Sequence, residues 1–154
     1  MDSRREGRYE RVYEQLRELI EGASPSLISA MATICAVLHA KMPHHFWTGF
    51  YLVGGDDVLH VGPYQGAVAC QTLEGGGVCL HAARTGRPVV VPDVAAFPGH
   101  IACDARSKSE VAIPVMSGDE VVAVFDVDAD EPGQFDDEEV RLLTRILGLL
   151  DPYL

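Results

Sequence analysis

The hydrophobic period of the chain changes at Pro43, and this switch restricts the folds open to it more than any other feature. Before Pro43 apolar residues recur at helical spacing. Arg8 to Glu21 reads as a first helix with Val12, Leu16, Leu19 and Ile20 on one stripe, ended by Gly22. Ser24-Pro25-Ser26 supplies a cap and a proline start for a second helix, Leu27 to Met42, whose stripe is Leu27, Ile28, Met31, Ile34, Cys35 and Leu38. After Pro43 the period becomes two. Trp47 to Val53 is a strand, Gly54-Gly55-Asp56-Asp57 a turn, and Val58 to Val61 the returning partner. Gly62 to Ala69 reads as irregular, Val78 to Thr85 as a short helix stopped by Gly86, and Pro88 to Val91 as a brief strand. Val111 to Met116 and Val121 to Val127 form a second hairpin across Ser117-Gly118-Asp119. Asp136 then starts a last helix with Val140, Leu143, Leu147 and Leu150 on one face.

Helices at both ends of hairpin-connected strands predict an α+β fold. The central antiparallel sheet carries the N- and C-terminal helices on one face, leaving the cysteine-bearing loops for the other. At 154 residues the chain fits one domain, 1–154, able to bury about two thirds of its unfolded surface. Acids outnumber lysine and arginine 23 to 12, a net charge of −11, which argues against nucleic acid as a partner because phosphate affinity rests on basic residues. The apolar runs are too short to span a membrane. MDSRREGRYE has no apolar stretch behind its basic residues, so no secretory signal is expected and the protein is read as cytoplasmic. His39, His44 and His45 gather near the end of the second helix, where imidazole complements the helix dipole, and no metal site is read there.

Four cysteines, at 35, 70, 79 and 103, in such a chain suit catalysis, redox work or metal binding better than a structural disulfide framework. Cys35 falls on the apolar stripe and reads as core. Cys103 lies in a polar loop, FPGHIACDARSKSE, with nothing obvious to pack it. It is either a nucleophile or a small buried hydrophobe. Asp104-Ala105-Arg106 is placed to open a helical turn whose amides would favour the thiolate. Strand alternation puts Val121, Ala123, Phe125 and Val127 on one face, so Asp126 and Asp128 share the other. With Val111, Ile113 and Val115 as core, Glu110 points the same way, and Trp47 and Tyr51 share a face of the first strand. If these faces coincide, three acids and two aromatics line a pocket beneath the cysteine loop; otherwise the aspartates mark a solvated sheet face. Asp126, Asp128 and Asp130 open like a calcium loop, but Glu131 stands where the turn glycine belongs. Cys79, His81, His100 and Cys103 could bind zinc, although their spacing matches no standard finger. Gly75-Gly76-Gly77 lacks the lysine of a phosphate loop.

From about Leu19 to Leu150 the chain resembles the free methionine-R-sulfoxide reductases, small enzymes built on a GAF domain. The resemblance is carried by WTGFYLV, GPYQG, the VAC ending at Cys70, the GVC ending at Cys79, FPGHIACDA around Cys103, SEVAIPV, and the FDVD ending at Asp128. It implies a GAF-like fold and reduction of the free amino acid's sulfoxide, with Cys103 as catalytic, Cys70 as resolving and Cys79 as third cysteine. It further implies Glu110, Asp126 and Asp128 as acidic pocket residues and Trp47 and Tyr51 as an aromatic wall. No bound cofactor is implied; electrons would come from thioredoxin, ultimately NADPH, and the family is commonly homodimeric. The chain departs from the family between Cys70 and Cys79, with QTLEGGGV in place of an arginine-aliphatic-proline run, and in a longer turn at Gly54-Gly55. The competing expectation is a GAF-type module that binds a small ligand, or senses redox state through its thiols, without turnover.

Overall fold

The structure is a computed structural model describing residues 1–100 and 103–154; Ile101 and Ala102 of the FPGHIACDA stretch lie outside the described residues. Six strands form one antiparallel sheet in the order β3-β2-β1-β6-β5-β4. They are β1 (Trp47–Gly55), β2 (Val58–Gln65), β3 (Thr72–Glu74), β4 (Val89–Val91), β5 (Ser109–Ser117) and β6 (Glu120–Ala129). Helices α1 (Ser3–Ile20), α2 (Leu27–Lys41) and α4 (Asp137–Leu147) cover one face, and α3 (Val78–Thr85) packs on the other. The α+β layering expected from the period switch is therefore present. Among the described residues no helix is long and apolar enough to cross a membrane.

Both faces of the sheet are buried, and each has its own apolar cluster. Under the terminal helices, Leu16, Ile34, Leu38 and Leu143 pack on Phe50, Val111, Phe125 and Val127. Phe50 and Phe125 face each other across β1 and β6 with ring centroids 5.0 Å apart. On the α3 face, Val78, Leu80 and Ala82 close over Trp47, Tyr51, Ala112 and Val124. A strand in this sheet thus contributes apolar residues at both parities, except where the second face opens into a site. Cys35 is core as expected, its Sγ 3.4 Å from the Pro63 carbonyl, and burial pushes its thiol up.

Several sequence expectations need correction. Helix α1 begins at Ser3 rather than Arg8, because the Asp2 carboxylate accepts from the Arg5 amide and caps it. Leu19 and Ile28 are exposed, outside the buried stripes of their helices. Strand β2 continues through the stretch GPYQ to Gln65, pairing Tyr64 with Gly49 beyond a register shift, and β3 is an additional short edge strand. Val121 packs on the α3 face and Val122 on the helix face, since a register shift at Val115 and Met116 reverses the alternation there. His44 and His45 do not serve the end of α2. His45 is buried and held neutral by desolvation; its Nε2 donates to the Tyr9 hydroxyl, which in turn donates to Glu139. Glu139 also contacts His44 and accepts from Arg5. The network ties α1, the segment after α2 and α4 together.

Candidate active site

Register places the acids. Cross-strand partners share a face, and Trp47 of β1 pairs with Asp128 of β6, which pairs with Glu110 of β5. One step along, Gly49 pairs with Asp126 and Asp126 with Ala112. Two carboxylates in one row with a third beside them oppose like charges directly, which a sheet tolerates poorly unless protons are shared. The neighbours facing them are small or aromatic. Trp47 stacks on Tyr51 (5.7 Å, 24°) and on Tyr64 (5.4 Å, 20°), and its indole nitrogen donates to the Ala67 carbonyl at 3.0 Å. Gly49 makes this wall possible: a Cβ there would overlap both the Trp47 ring and the Cβ of Tyr64.

A cavity, open on one side, stands over this floor. Trp47, Tyr51, Cys79, Cys103, Glu110, Asp126 and Asp128 all line it. Cys70 lies just outside, bonded to Cys103 in a disulfide with Cα atoms 5.5 Å apart at a sequence separation of 33. The structure thus brings together the three cysteines, the three acids and the two aromatics expected from the sequence. Cys79 is free and buried, its Sγ 3.8 Å from Glu110 Oε1. The stretch from Cys103 to Arg106 is a turn, not the expected helix start. Asp104 takes the Arg106 amide with its side chain at 2.9 Å and pairs with the Arg106 guanidinium, which holds its carboxyl down at about 2. An Asp104–Arg106 ion pair therefore stands beside Cys103 in place of helix amides.

The electrostatics follow from burial among acids. Desolvation, then the Asp128 charge, pushes Glu110 up from 4.5 to about 8. Asp126 is raised well above its ordinary value by desolvation and then Glu110, and one of its oxygens, Oδ1, is buried with no hydrogen-bond partner. Asp128 is raised by desolvation and then Asp126, against the pull of the Ser107 hydroxyl that donates to it. At neutral pH the cluster holds protons that ordinary carboxylates would have released. Burial, then Asp126, pushes the Cys79 thiol well up, so it stays protonated. Among the described residues no lysine or arginine lines the cavity.

Metal binding fits poorly. Cys79, Glu110 and Asp126 have ligand atoms within 4.8 Å of one another, as do His44, His45 and Glu139. The first set is one thiol and two carboxyls already hydrogen-bonded to one another, with no histidine among them. In the second, Glu139 is already engaged by Tyr9, His44 and Arg5. The four-residue zinc set does not assemble: Cys103 is in the disulfide, and His81 is exposed and meets Phe97 edge-on. Sequence reasoning missed Tyr64, hidden in a stretch read as irregular, and Ser107, a loop residue with no periodicity to orient it; His100, read only as a possible zinc ligand, stands instead beside Glu110. Helix α3 starts at Val78 as expected, and because Gly77 provides no side-chain cap its first amides, which border the cavity, are left open.

Comparison with known proteins agrees with this construction. The sequence profile of the GAF domain matches residues 11–151. The chain is 39% identical over 148 residues to GAF domain-containing protein A of Dictyostelium discoideum, spanning 96% of this chain and 92% of the relative. To the free methionine-R-sulfoxide reductase of Escherichia coli it is 36% identical over 130 residues, 84% of this chain and 78% of that protein. The X-ray structure of free methionine-R-sulfoxide reductase from Neisseria meningitidis in complex with its substrate superposes with a TM-score of 0.89 at 35% identity, covering 94% of this chain and 87% of that one. With fold, profile and near full-length identity in agreement, the chain belongs to the GAF-domain family of the free methionine-R-sulfoxide reductases.

Proposed function

We propose that the protein reduces free L-methionine-R-sulfoxide to methionine with Cys103 as nucleophile and Cys70 as resolving thiol. The observation that carries this reading is the Cys70–Cys103 disulfide set at a cavity floored by three proton-retaining carboxyls. A sulfoxide sulfur is electrophilic, but its oxygen leaves only when protonated, so nucleophile and acid are needed at one place. Cys103 Sγ adds to the sulfur while a carboxyl of the Glu110, Asp126 and Asp128 cluster gives its proton to the oxygen. Methionine departs with the electron pair, and the oxygen stays on Cys103 as a sulfenic acid. Cys70 Sγ then bonds to Cys103 Sγ, the hydroxyl leaving as water with the Cys70 proton. Acids that keep their protons also spare the Cys103 thiolate from like-charge repulsion.

An acidic floor and an aromatic wall suit an amino acid entering ammonium first. Asp126 Oδ1, buried without a partner, is available to that ammonium, Trp47 and Tyr51 enclose the methyl sulfinyl end, and the amides at the start of α3 take the carboxylate. In this reading thioredoxin restores the dithiol with electrons drawn from NADPH through thioredoxin reductase, and the working unit is a homodimer; both rest on the family resemblance. The test is methionine release from separated R and S epimers with thioredoxin and its reductase recycling the enzyme. Turnover of R alone is expected, abolished in C103S, and reduced in C70S to a single reduction per site. Failure of the folded, reduced protein to turn over R would sink the assignment and leave a binding or sensing module.

A further inference from the structure

We infer that His100 is the proton gateway of the acidic cluster, its imidazole passing protons from solvent to the Glu110 carboxyl so that the donor is recharged in each catalytic cycle. The inference rests on the reductase reading given above. Whenever Cys103 enters a cycle as a thiolate, the proton given to the sulfoxide oxygen comes from a carboxyl, and that carboxyl must regain one from water before the next cycle. Glu110 and Asp126 are buried, 5% and 4% exposed, and reach water only through the cavity that substrate would fill. The groups facing Glu110 are Cys79 from α3, Asp126 and Asp128 from β6, Tyr51 from β1, and His100 from the loop after the Val94–Ala96 turn. Cys79 and Tyr51 have their ionisation pushed far up by burial, so they hold their protons and do not pass them. The aspartates share the need for a proton.

Of these groups only His100 and Asp128 keep partial exposure, and of the two only the imidazole can take a proton at one nitrogen and release one from the other. Its Nε2 lies 3.6 Å from Glu110 Oε2, just beyond hydrogen-bond length, and its side chain keeps 15% exposure against 7% for Glu110. Imidazole has two nitrogens on opposite sides of one ring, so a proton accepted at one is matched by a proton delivered from the other. Burial lowers the proton affinity of His100, which keeps it neutral at physiological pH and able to relay instead of locking into an ion pair. The backbone that carries the ring is fixed by the His100 amide, which donates to the Phe97 carbonyl at 3.2 Å. The chemistry assigned to His100 is proton delivery to the donor; it does not touch the reacting sulfur.

The experiment compares wild type, H100A and H100Q as full-length reduced protein, assayed for methionine release from the R epimer across pH with and without free imidazole. The expected result is a kcat lowered about ten- to hundredfold in both variants with KM little changed, and recovery of H100A in proportion to added imidazole. Wild-type kcat should also show a solvent isotope effect that diminishes in imidazole-rescued H100A as the buffer takes over delivery. An active wild type with H100A and H100Q within twofold of it would overturn the gateway. So would a loss that raises KM as well and that imidazole does not restore, the mark of a residue that only shapes the loop. A wild type without R turnover would instead overturn the reductase reading and this inference with it.

Discussion

Replacing Glu110 with glutamine tests the electrostatics of the site without presupposing its chemistry. In the folded protein the Glu110 carboxyl is pushed from 4.5 up to about 8, by desolvation first and by Asp128 second. A group whose proton is held more tightly in the folded state contributes fully below its unfolded value and loses that contribution as pH rises through the folded one. Glu110 therefore lowers stability progressively between pH 4.5 and about 8, and no further above that. At about 1.4 kcal/mol per pH unit the whole window amounts to roughly 5 kcal/mol, a large share of a typical domain's stability. Urea unfolding of the disulfide form, measured at intervals from pH 4.5 to 9 for wild type and E110Q, reads the effect of removing this proton together with the relaxation of Asp126, which Glu110 helps to raise. The difference in unfolding free energy should move in favour of E110Q by about 1.4 kcal/mol for each pH unit between 5 and 8, then level off. A difference that stays flat across that interval would refute the claim that Glu110 retains its proton. Activity supplies an independent check: wild-type kcat should fall as pH rises through about 8, and E110Q should be slow with that limb altered.

Other outcomes follow from the geometry. G49A forces Trp47 and Tyr64 apart, and should raise KM for the R epimer about tenfold or more while destabilising the fold by about 1–3 kcal/mol, read by steady-state kinetics and thermal melts. E139A leaves Tyr9, His44 and Arg5 without their shared partner and should cost about 3–5 kcal/mol in urea unfolding while leaving KM unchanged. C79A should keep multiple turnovers with thioredoxin within about threefold of wild type, since Cys70 and Cys103 already pair and a buried, protonated thiol is a poor nucleophile.

Much of the architecture could be read before any coordinates, because two periods cannot be confused over long segments. The second hairpin gave the acids their direction, and one parity argument sufficed to bring Glu110, Asp126 and Asp128 to one face. What escaped was set by tertiary closure. Tyr64 sits beyond Gly62 and Pro63, residues that advertise a turn, yet the strand persists because β1 pairs with it through a register shift. Val121 obeys the pleat only locally, and the shift at Met116 moves it to the other face. Helix α1 starts in SRREG, which has no apolar repeat, so its first turn is visible only through the Asp2 cap. His100 and Ser107 carry no periodic signal at all; the loop they occupy meets the acids only after the sheet has formed.

The Cys70–Cys103 bond also changes how durable the molecule is. The segment it closes contains β3, α3 and β4, so both edge strands of the sheet and the helix over the site face fall within one covalent ring, with 33 residues of sequence separation between its ends. Loop-closure entropy alone makes such a ring worth roughly 4 kcal/mol to the folded state, through the freedom it removes from the unfolded chain. In the proposed cycle the spent form is then the sturdier one, and the armed form, awaiting sulfoxide with two free thiols, is the looser. Oxidant in excess of reductant would accumulate the protein in the shape best able to resist unfolding and proteolysis, preserving a reserve of enzyme until reducing power returns.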